Sequence, residues 1–397
     1  MRVLALASRQ DLERQLARVG ADECSWSIFA AKHESRAIAF EGLSTATANI
    51  LKQSALALGA DCAVHRAVAS GRVRRSDAVL FVNRRQLAGL VLRLREQPDC
   101  VARLAPEIEA LEHRYRAPDH TIRIGRRRVD LGSRTHVMGI LNVTPDSFYD
   151  GGRYADAERA AARAQTMEQE GADFVDIGGE STRPGAEPVS PREQLRRVLP
   201  VLRRARREVA VPLSIDTTSA RVAEAAIAEG AAMVNDISGL SFDRGMARVV
   251  ARAGVPCVVM HTSGRPRSMQ QRTTYRDLLA EVVDSLRAAV ERGLEAGVRP
   301  GQLIVDPGIG FGKTAVQNLE ILRRLGELRS LGRPILVGPS RKSFIGRTLG
   351  TGVDARLEGS LAACVVAAQN GANVLRVHDV LAARRALALS DAIAGKG

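Results

Sequence analysis

Aromatic side chains are scarce in this chain: Phe, Tyr and Trp make up 3% of 397 residues. The core must therefore be built from Ala, Val, Leu and Ile. A basic groove interleaved with stacking rings, the footprint of many nucleic-acid binders, has no material here. Cysteine is sparse too. Cys24, Cys62, Cys100, Cys257 and Cys364 form neither a C-x-x-C pair nor a metal-ligand spacing. Their odd number points to a reducing compartment, and Cys257 and Cys364 lie in apolar runs as core thiols. No apolar run reaches the ~18 residues of a membrane span, and residues 1–10 lack the apolar centre of a secretion signal. The glycine run at 308–312 is not G-x-G-x-x-G, and Gly312-Lys313-Thr314 lacks the full P-loop spacing. The expectation is a cytoplasmic protein with no membrane or nucleic-acid partner.

Hydrophobic residues make up 45% of the chain, enough for a sizeable core. The length suits two domains, one of them an α/β barrel of about 250 residues. The formal net charge is +14. A basic cleft would concentrate an anionic small substrate, although arginines on solvated helix faces account for most of the excess.

Residues 1–118 read as a smaller α/β domain without a catalytic signature. Its strand candidates are 3–7, 36–40, 62–69 and 78–82, and its helix candidates 44–58, 84–96 and 100–115. Gly59 stands where a helix C-terminal glycine belongs. An oligomerisation or docking module fits this segment better than a fused enzyme. The boundary falls at Ala117-Pro118-Asp119-His120. Residues 121–131 then alternate around Gly125, which predicts a hairpin suited to plug the bottom of a barrel.

Residues 119–397 read as a (β/α)8 TIM barrel. Strands are expected at 136–141, 173–177, 212–216, 232–236, 255–260, 302–306, 334–338 and 373–377. Between the fifth and sixth, Leu278, Val282, Leu286 and Val290 fall on one helix face. Ser190-Pro191-Arg192-Glu193 and Thr314-Ala315-Val316-Gln317 read as capping boxes. Eight such repeats over roughly 260 residues are the arithmetic of a TIM barrel. An open doubly wound sheet, the runner-up, would gather its ligand loops at one switch point. Here polar loops follow every strand.

The strand ends deliver, in order, Asn142 with its loop to Gly152; Asp176 and the segment Gly178–Ala186; Asp216; Asn235-Asp236; Met260-His261; Asp306–Lys313; Gly338–Gly346; and Arg376-Val377-His378-Asp379. Parallel strands aim these ends at one mouth. Asp216, Asn235, Asp306 and Lys342 suit a flat heterocycle with donor and acceptor edges. Asn142, Arg376, His378 and the glycine-rich backbone suit an oxyanion or phosphate. The residues alone point to a transferase or lyase acting on a phosphorylated heterocycle. Single features have plainer explanations: Asp236 as a cap, Glu180 as a salt bridge within the barrel, His261 as a satisfied core histidine.

Four segments together resemble the dihydropteroate synthase family of folate biosynthesis: 142–152, Gly179–Gly185, Asp306–Thr314 and Gly338–Phe344. The resemblance runs from about 121 to 395. One departure is Thr262, where the family usually has a second Met after Met-His. The resemblance implies a transferase that joins a dihydropterin-methyl pyrophosphate to p-aminobenzoate with loss of pyrophosphate, and a sulfonamide target. It implies pterin contacts at Asp216, Asn235, Asp306 and Lys342. Asn142, Arg376 and His378 are implied to hold pyrophosphate, with Mg2+ at Asn142. It implies a p-aminobenzoate pocket of Thr182, Arg183, Pro184, Phe311, Ser340 and Arg341, and lids hinged at Gly151-Gly152 and Pro184-Gly185. Catalytic weight then falls on Asn142, Arg183, Lys342, Arg376 and His378. A homodimer is expected, as in related barrels. The alternatives are a methyltetrahydrofolate-dependent methyltransferase, which needs no pyrophosphate anchors, and a non-catalytic pterin-binding protein, which would have shed some of them.

Overall fold

Two compact units, Met1–His113 and Arg114–Gly397, make up the computed structural model, which describes all residues except 1, 7, 117–119, 126, 144–152, 182, 184 and 397. The expected boundary residues 117–119 and most of the first mouth loop thus lie outside the described residues.

The first unit begins with α1 (Arg9–Arg18) and α2 (Glu23–His33). Neither is expected from the sequence; each buries a single residue, Leu12 or Ala30, and α2 shows almost no apolar period. Their signals are the caps: Ser8 accepts from Asp11 N and Asp22 from Cys24 N. Of the strand expected at 3–7, residues 3–6 have no regular structure and residue 7 lies outside the described residues. β1 (Ser35–Ser44), β2 (Asp61–Val64) and β3 (Arg75–Asn83) form an antiparallel sheet ordered β1-β3-β2. β2 is shorter than expected, since His65 N turns from the ladder to Ser76 Oγ. Along β3, Ser76, Ala78, Leu80 and Val82 point inward while Asp77, Val79 and Phe81 face out. The inward face packs on α3 (Thr45–Leu56), α4 (Arg84–Arg95), α5 (Asp99–Ala102) and α6 (Leu104–Arg116), which contribute Leu51, Leu90, Leu94, Val101 and Ile108.

The second unit opens with the expected hairpin, β4 (Thr121–Ile124) and β5 (Arg127–Asp130), turned at Gly125 with φ +58°. Eight parallel strands follow: β6 (His136–Asn142), β7 (Phe174–Gly178), β8 (Leu213–Asp216), β9 (Met233–Asp236), β10 (Cys257–Met260), β11 (Leu303–Asp306), β12 (Leu336–Val337) and β13 (Val374–Val377). Each begins within two residues of its expected position. Their hydrogen-bonded order is β11-β10-β9-β8-β7-β6-β13-β12, and a parallel bridge from Val305 to Ile335 joins the two end strands into a barrel. Around it run α7 (Arg153–Gln169), α8 (Pro191–Glu208), α9 (Ala220–Ala228), α10 (Met246–Ala253), α11 (Leu278–Glu295), α12 (Ala315–Arg323), α13 (Ser343–Leu349), α14 (Leu357–Gln369) and α15 (Val380–Ile393). Leu278, Val282, Leu286 and Val290 of α11 are all buried. Thr314 and Gln317 complete a capping box on α12. At α8 only half of the expected box forms: Ser190 accepts from Glu193 N, but the Glu193 carboxylate turns to Arg196 and Arg197.

Strand periodicity makes the barrel interior two unlike layers. The lower one is apolar: Met138, Phe174, Met233, Val258, Ile304, Leu336 and Val374, sealed by Ile122, Ile124 and Leu131 of the hairpin segment. Two residues further along β7, β9, β11 and β13 stand Asp176, Asn235, Asp306 and Arg376. The chemistry begins one pleat above a dry floor.

Candidate active site at the barrel mouth

Arg376 is the hub of the upper layer. Its Nε donates to Asp176 Oδ2 at 2.7 Å and an η nitrogen to Asp216 Oδ2 at 2.8 Å. Asp176 Oδ2 also accepts from Asn235 Nδ2 at 2.9 Å. That bond orients the Asn235 amide, so its oxygen and its second N–H remain for a ligand. Two buried carboxylates share one largely buried guanidinium. Burial pushes the Asp216 carboxyl up to about 7; Arg376 opposes the rise, and Asp176, Glu180 and Asp236 add to it.

Asp306 ends β11 and accepts from Gly308 N at 2.7 Å. Burial raises its carboxyl above the ordinary range, while Lys342, Lys313 and Arg376 pull it back. Lys342 faces it from the loop after β12. Burial lowers the Lys342 ammonium to about 8, and Asp306 is the strongest opposing charge. Its Nζ donates to Ile309 O and lies 4.4 Å from the centre of the Phe311 ring. Phe311 packs with Ile237, Met260 and Met269 in an apolar wall beside these charges.

His378 follows β13. Its backbone N–H donates to Ser340 Oγ at 3.2 Å, and its Nδ1 is 3.1 Å from the same oxygen. Both contacts are satisfied when the hydroxyl donates to Nδ1, which leaves the proton on Nε2. Burial first, then Arg376 and Arg341, lowers this imidazole to about 4. His378 thus offers a neutral N–H at pH 7. Arg341 adopts φ +56° and pairs with Asp379 through bonds of 2.9 and 2.6 Å. Asn142 ends β6 and is half-buried; a Cβ built at neighbouring Gly178 would stand 3.6 Å from Asn142 Oδ1 and 3.8 Å from Asp216 Oδ2. Among the described residues no group of three His, Cys, Asp or Glu side chains suits a metal ion.

The structure therefore gathers Asp216, Asn235, Asp306, Lys342, Arg376 and His378 around one mouth, with Phe311 and Ser340 beside them. Arg183 is exposed, though near enough for His378 to feel its charge. Thr182, Pro184 and the Gly151-Gly152 pair lie outside the described residues. Among the described residues Glu180 forms no salt bridge within the barrel: it braces its own loop, accepting from Val189 N at 2.9 Å and Gln194 Nε2 at 3.0 Å. Asp236 caps the turn after β9 through Ser238 N and Leu240 N. His261 is satisfied by Lys313, 2.8 Å away. Sequence reasoning assigned no role to Asp176, whose inward register two residues after Phe174 was the available signal.

The family profile described as "Pterin binding enzyme" matches residues 138–378. The dihydropteroate synthase of Synechocystis sp. is 49% identical over 271 residues, covering 68% of this chain and 94% of that protein. The structure of Xanthomonas albilineans dihydropteroate synthase with 4-aminobenzoic acid aligns with a TM-score of 0.65 at 43% identity, covering 70% of this chain and 98% of the other. A probable bifunctional folylpolyglutamate synthase/dihydropteroate synthase of Haloferax volcanii is 38% identical over 342 residues, 84% of this chain and 40% of that protein. That alignment exceeds the barrel unit in length and so reaches into the first unit.

Proposed function

The chain belongs to the pterin-binding enzyme family, and on that premise we propose that it acts as a dihydropteroate synthase, a transferase that condenses dihydropterin-methyl pyrophosphate with p-aminobenzoate. The observation that carries this is the upper barrel layer. Lys342 is within electrostatic reach of Asp306, Arg376 and Asp216 together, so a recognition edge and an anion site lie within one small molecule's length.

In this reading Asp306 and Asp216 accept from the amino-pyrimidinone edge of the pterin. The oxygen of Asn235 accepts beside them, and Lys342 donates to ring carbonyl and nitrogen. The Phe311 wall covers one ring face. Pyrophosphate lies toward Asn142, Arg376 and the Nε2–H of His378. Arg183, Ser340, Arg341 and Phe311, with Thr182 and Pro184, line the p-aminobenzoate side. The departing pyrophosphate separates charge, so fixed donors aimed at it lower the barrier. An arylamine is neutral at pH 7 and attacks without a strong base.

Asn142 offers one neutral oxygen at a strand end. That donor set fits a Mg2+ held mostly by phosphate oxygens and not by a protein cage. Bound there, the ion would neutralise charge on the leaving pyrophosphate. We further propose a cytoplasmic homodimer. Supporting this are five unpaired cysteines and the exposed apolar side chains Val366, Leu381, Leu389 and Ile393 on α14 and α15. No helix among the described residues is long and apolar enough to cross a membrane.

The test is stoichiometry. Purified protein given both substrates should release one pyrophosphate per pteroate formed, with p-aminobenzoate required and sulfonamides competing against it. Methyl transfer from methyltetrahydrofolate without pyrophosphate release would support the rival reading.

A further inference from the structure

We propose that Lys313 is a positioning residue for this reaction: from inside the glycine turn after β11 it fixes the loop that carries Phe311, and it supplies positive charge that keeps Asp306 a hydrogen-bond acceptor. The proposal rests on the reading of Asp306 and Phe311 as substrate contacts.

Lys313 is 3% exposed. Its Nζ lies 2.8 Å from His261 Nδ1, 3.0 Å from Gly308 O and 3.0 Å from Phe311 O. An ammonium has three protons, and three acceptors take them. None of the three is a carboxylate. A buried cation with no contacting anion costs stability that a methionine of similar length would not, so the charge invites a functional explanation.

The turn it fills is soft by composition. Gly308, Gly310 and Gly312 all have positive φ, at +68°, +84° and +63°. At Gly308 and Gly312 side chains are excluded by close approach of the loop after β10: a Cβ at Gly308 would lie 2.0 Å from His261 O, and one at Gly312 1.7 Å from Ser263 Oγ; at Gly310 it would meet the Lys342 side chain at 2.8 Å. Glycine is required but confers no rigidity. Lys313 ties both ends of the Gly308–Phe311 segment to His261 across the gap between the two loops. His261 must present a lone pair at Nδ1 to receive it. Burial, and then Lys313 itself, lowers that imidazole to about 3, so it remains an acceptor throughout the working range.

The electrostatic half concerns the groups around Lys313: Asp306 from β11, Lys342 from the loop after β12, and His261 from the loop after β10. Asp306 is raised by burial and held down by Lys342, Lys313 and Arg376. Lys313 is itself lowered to about 7, chiefly by burial. Below that pH Lys313 is charged. Removing it lets the Asp306 carboxyl rise further, so an acceptor becomes a donor at a higher pH.

The experiment compares Lys313→Met and Lys313→Arg with wild type. Pterin affinity is measured by calorimetry from pH 5 to 8, and KM for p-aminobenzoate at pH 7. Lys313→Met should shift the acid limb of pterin affinity to higher pH and raise KM for p-aminobenzoate about tenfold or more, the scale of losing charge-assisted hydrogen bonds. Lys313→Arg keeps the charge but not the three-acceptor fit, so KM should rise while the acid limb stays. A folded Lys313→Met enzyme with wild-type acid limb and KM overturns the proposal. If circular dichroism finds Lys313→Met unfolded, Lys313→Arg decides: wild-type KM or a displaced acid limb overturns it. Asp306→Asn run in parallel separates the underlying reading. Retained pterin affinity there removes the assigned role of Asp306, whereas lost affinity beside a wild-type-like Lys313→Met rejects only Lys313.

Discussion

Asp216 sits beside Asp176, Glu180 and Asp236 with one guanidinium to share. Its carboxyl is pushed from the usual 3.8 to about 7, first by burial. The folded chain therefore keeps a proton that the unfolded chain releases at lower pH. The stability this provides is complete below pH 3.8 and is lost as pH rises through about 7. Asp216→Asn removes the titration. Between pH 4 and 7 the urea midpoint of wild type should fall relative to that of Asp216→Asn; parallel curves across that window contradict the burial argument. Most residues of this cluster were legible in the sequence, because a polar residue at the end of a buried parallel strand has few explanations besides the mouth. Asp176 was less legible, since its partners come from β9 and β13 and no local pattern connects them. Lys313 resembled a broken P-loop lysine, and only the fold shows that its contacts are carbonyls and an imidazole.

The hairpin of β4 and β5 is the element on which the polar layer stands. Ile122 is fully buried among Met138, Phe174 and their neighbours. Ile122→Ala should lower stability by about 2–5 kcal/mol, measured by urea unfolding, with KM values near wild type in the folded enzyme. A changed KM at unchanged stability would mean that the floor contacts substrate directly. The element was readable because alternation around a glycine turn is a local signal. The barrel strands were readable for a related reason: buried on both faces, they are short apolar runs bounded by loops. α1 and α2 were not: α2 has no stripe to detect, and the short, charge-rich α1 buries only Leu12.

At the scale of the whole molecule, every site residue named comes from the unit Arg114–Gly397. A chain starting at Arg114 should keep kcat/KM within about twofold for both substrates, since no catalytic group is removed. A large loss would give the first unit a part in catalysis that its residues do not suggest. The fold class of the barrel followed from eight repeats with one polarity of loop. The purpose of the first unit did not, because a three-stranded sheet under helices supports many roles.

The central claim is that Asp306, Asp216, Asn235 and Lys342 form the edge that reads a pterin. Calorimetric titration of dihydropterin-methyl pyrophosphate into wild type and Asp306→Asn at pH 7 tests it most directly. Swapping an acceptor for a donor of equal size should weaken binding about a hundredfold or more, through one mismatched and one unpaired buried group. Equal affinity for the two proteins would contradict the account.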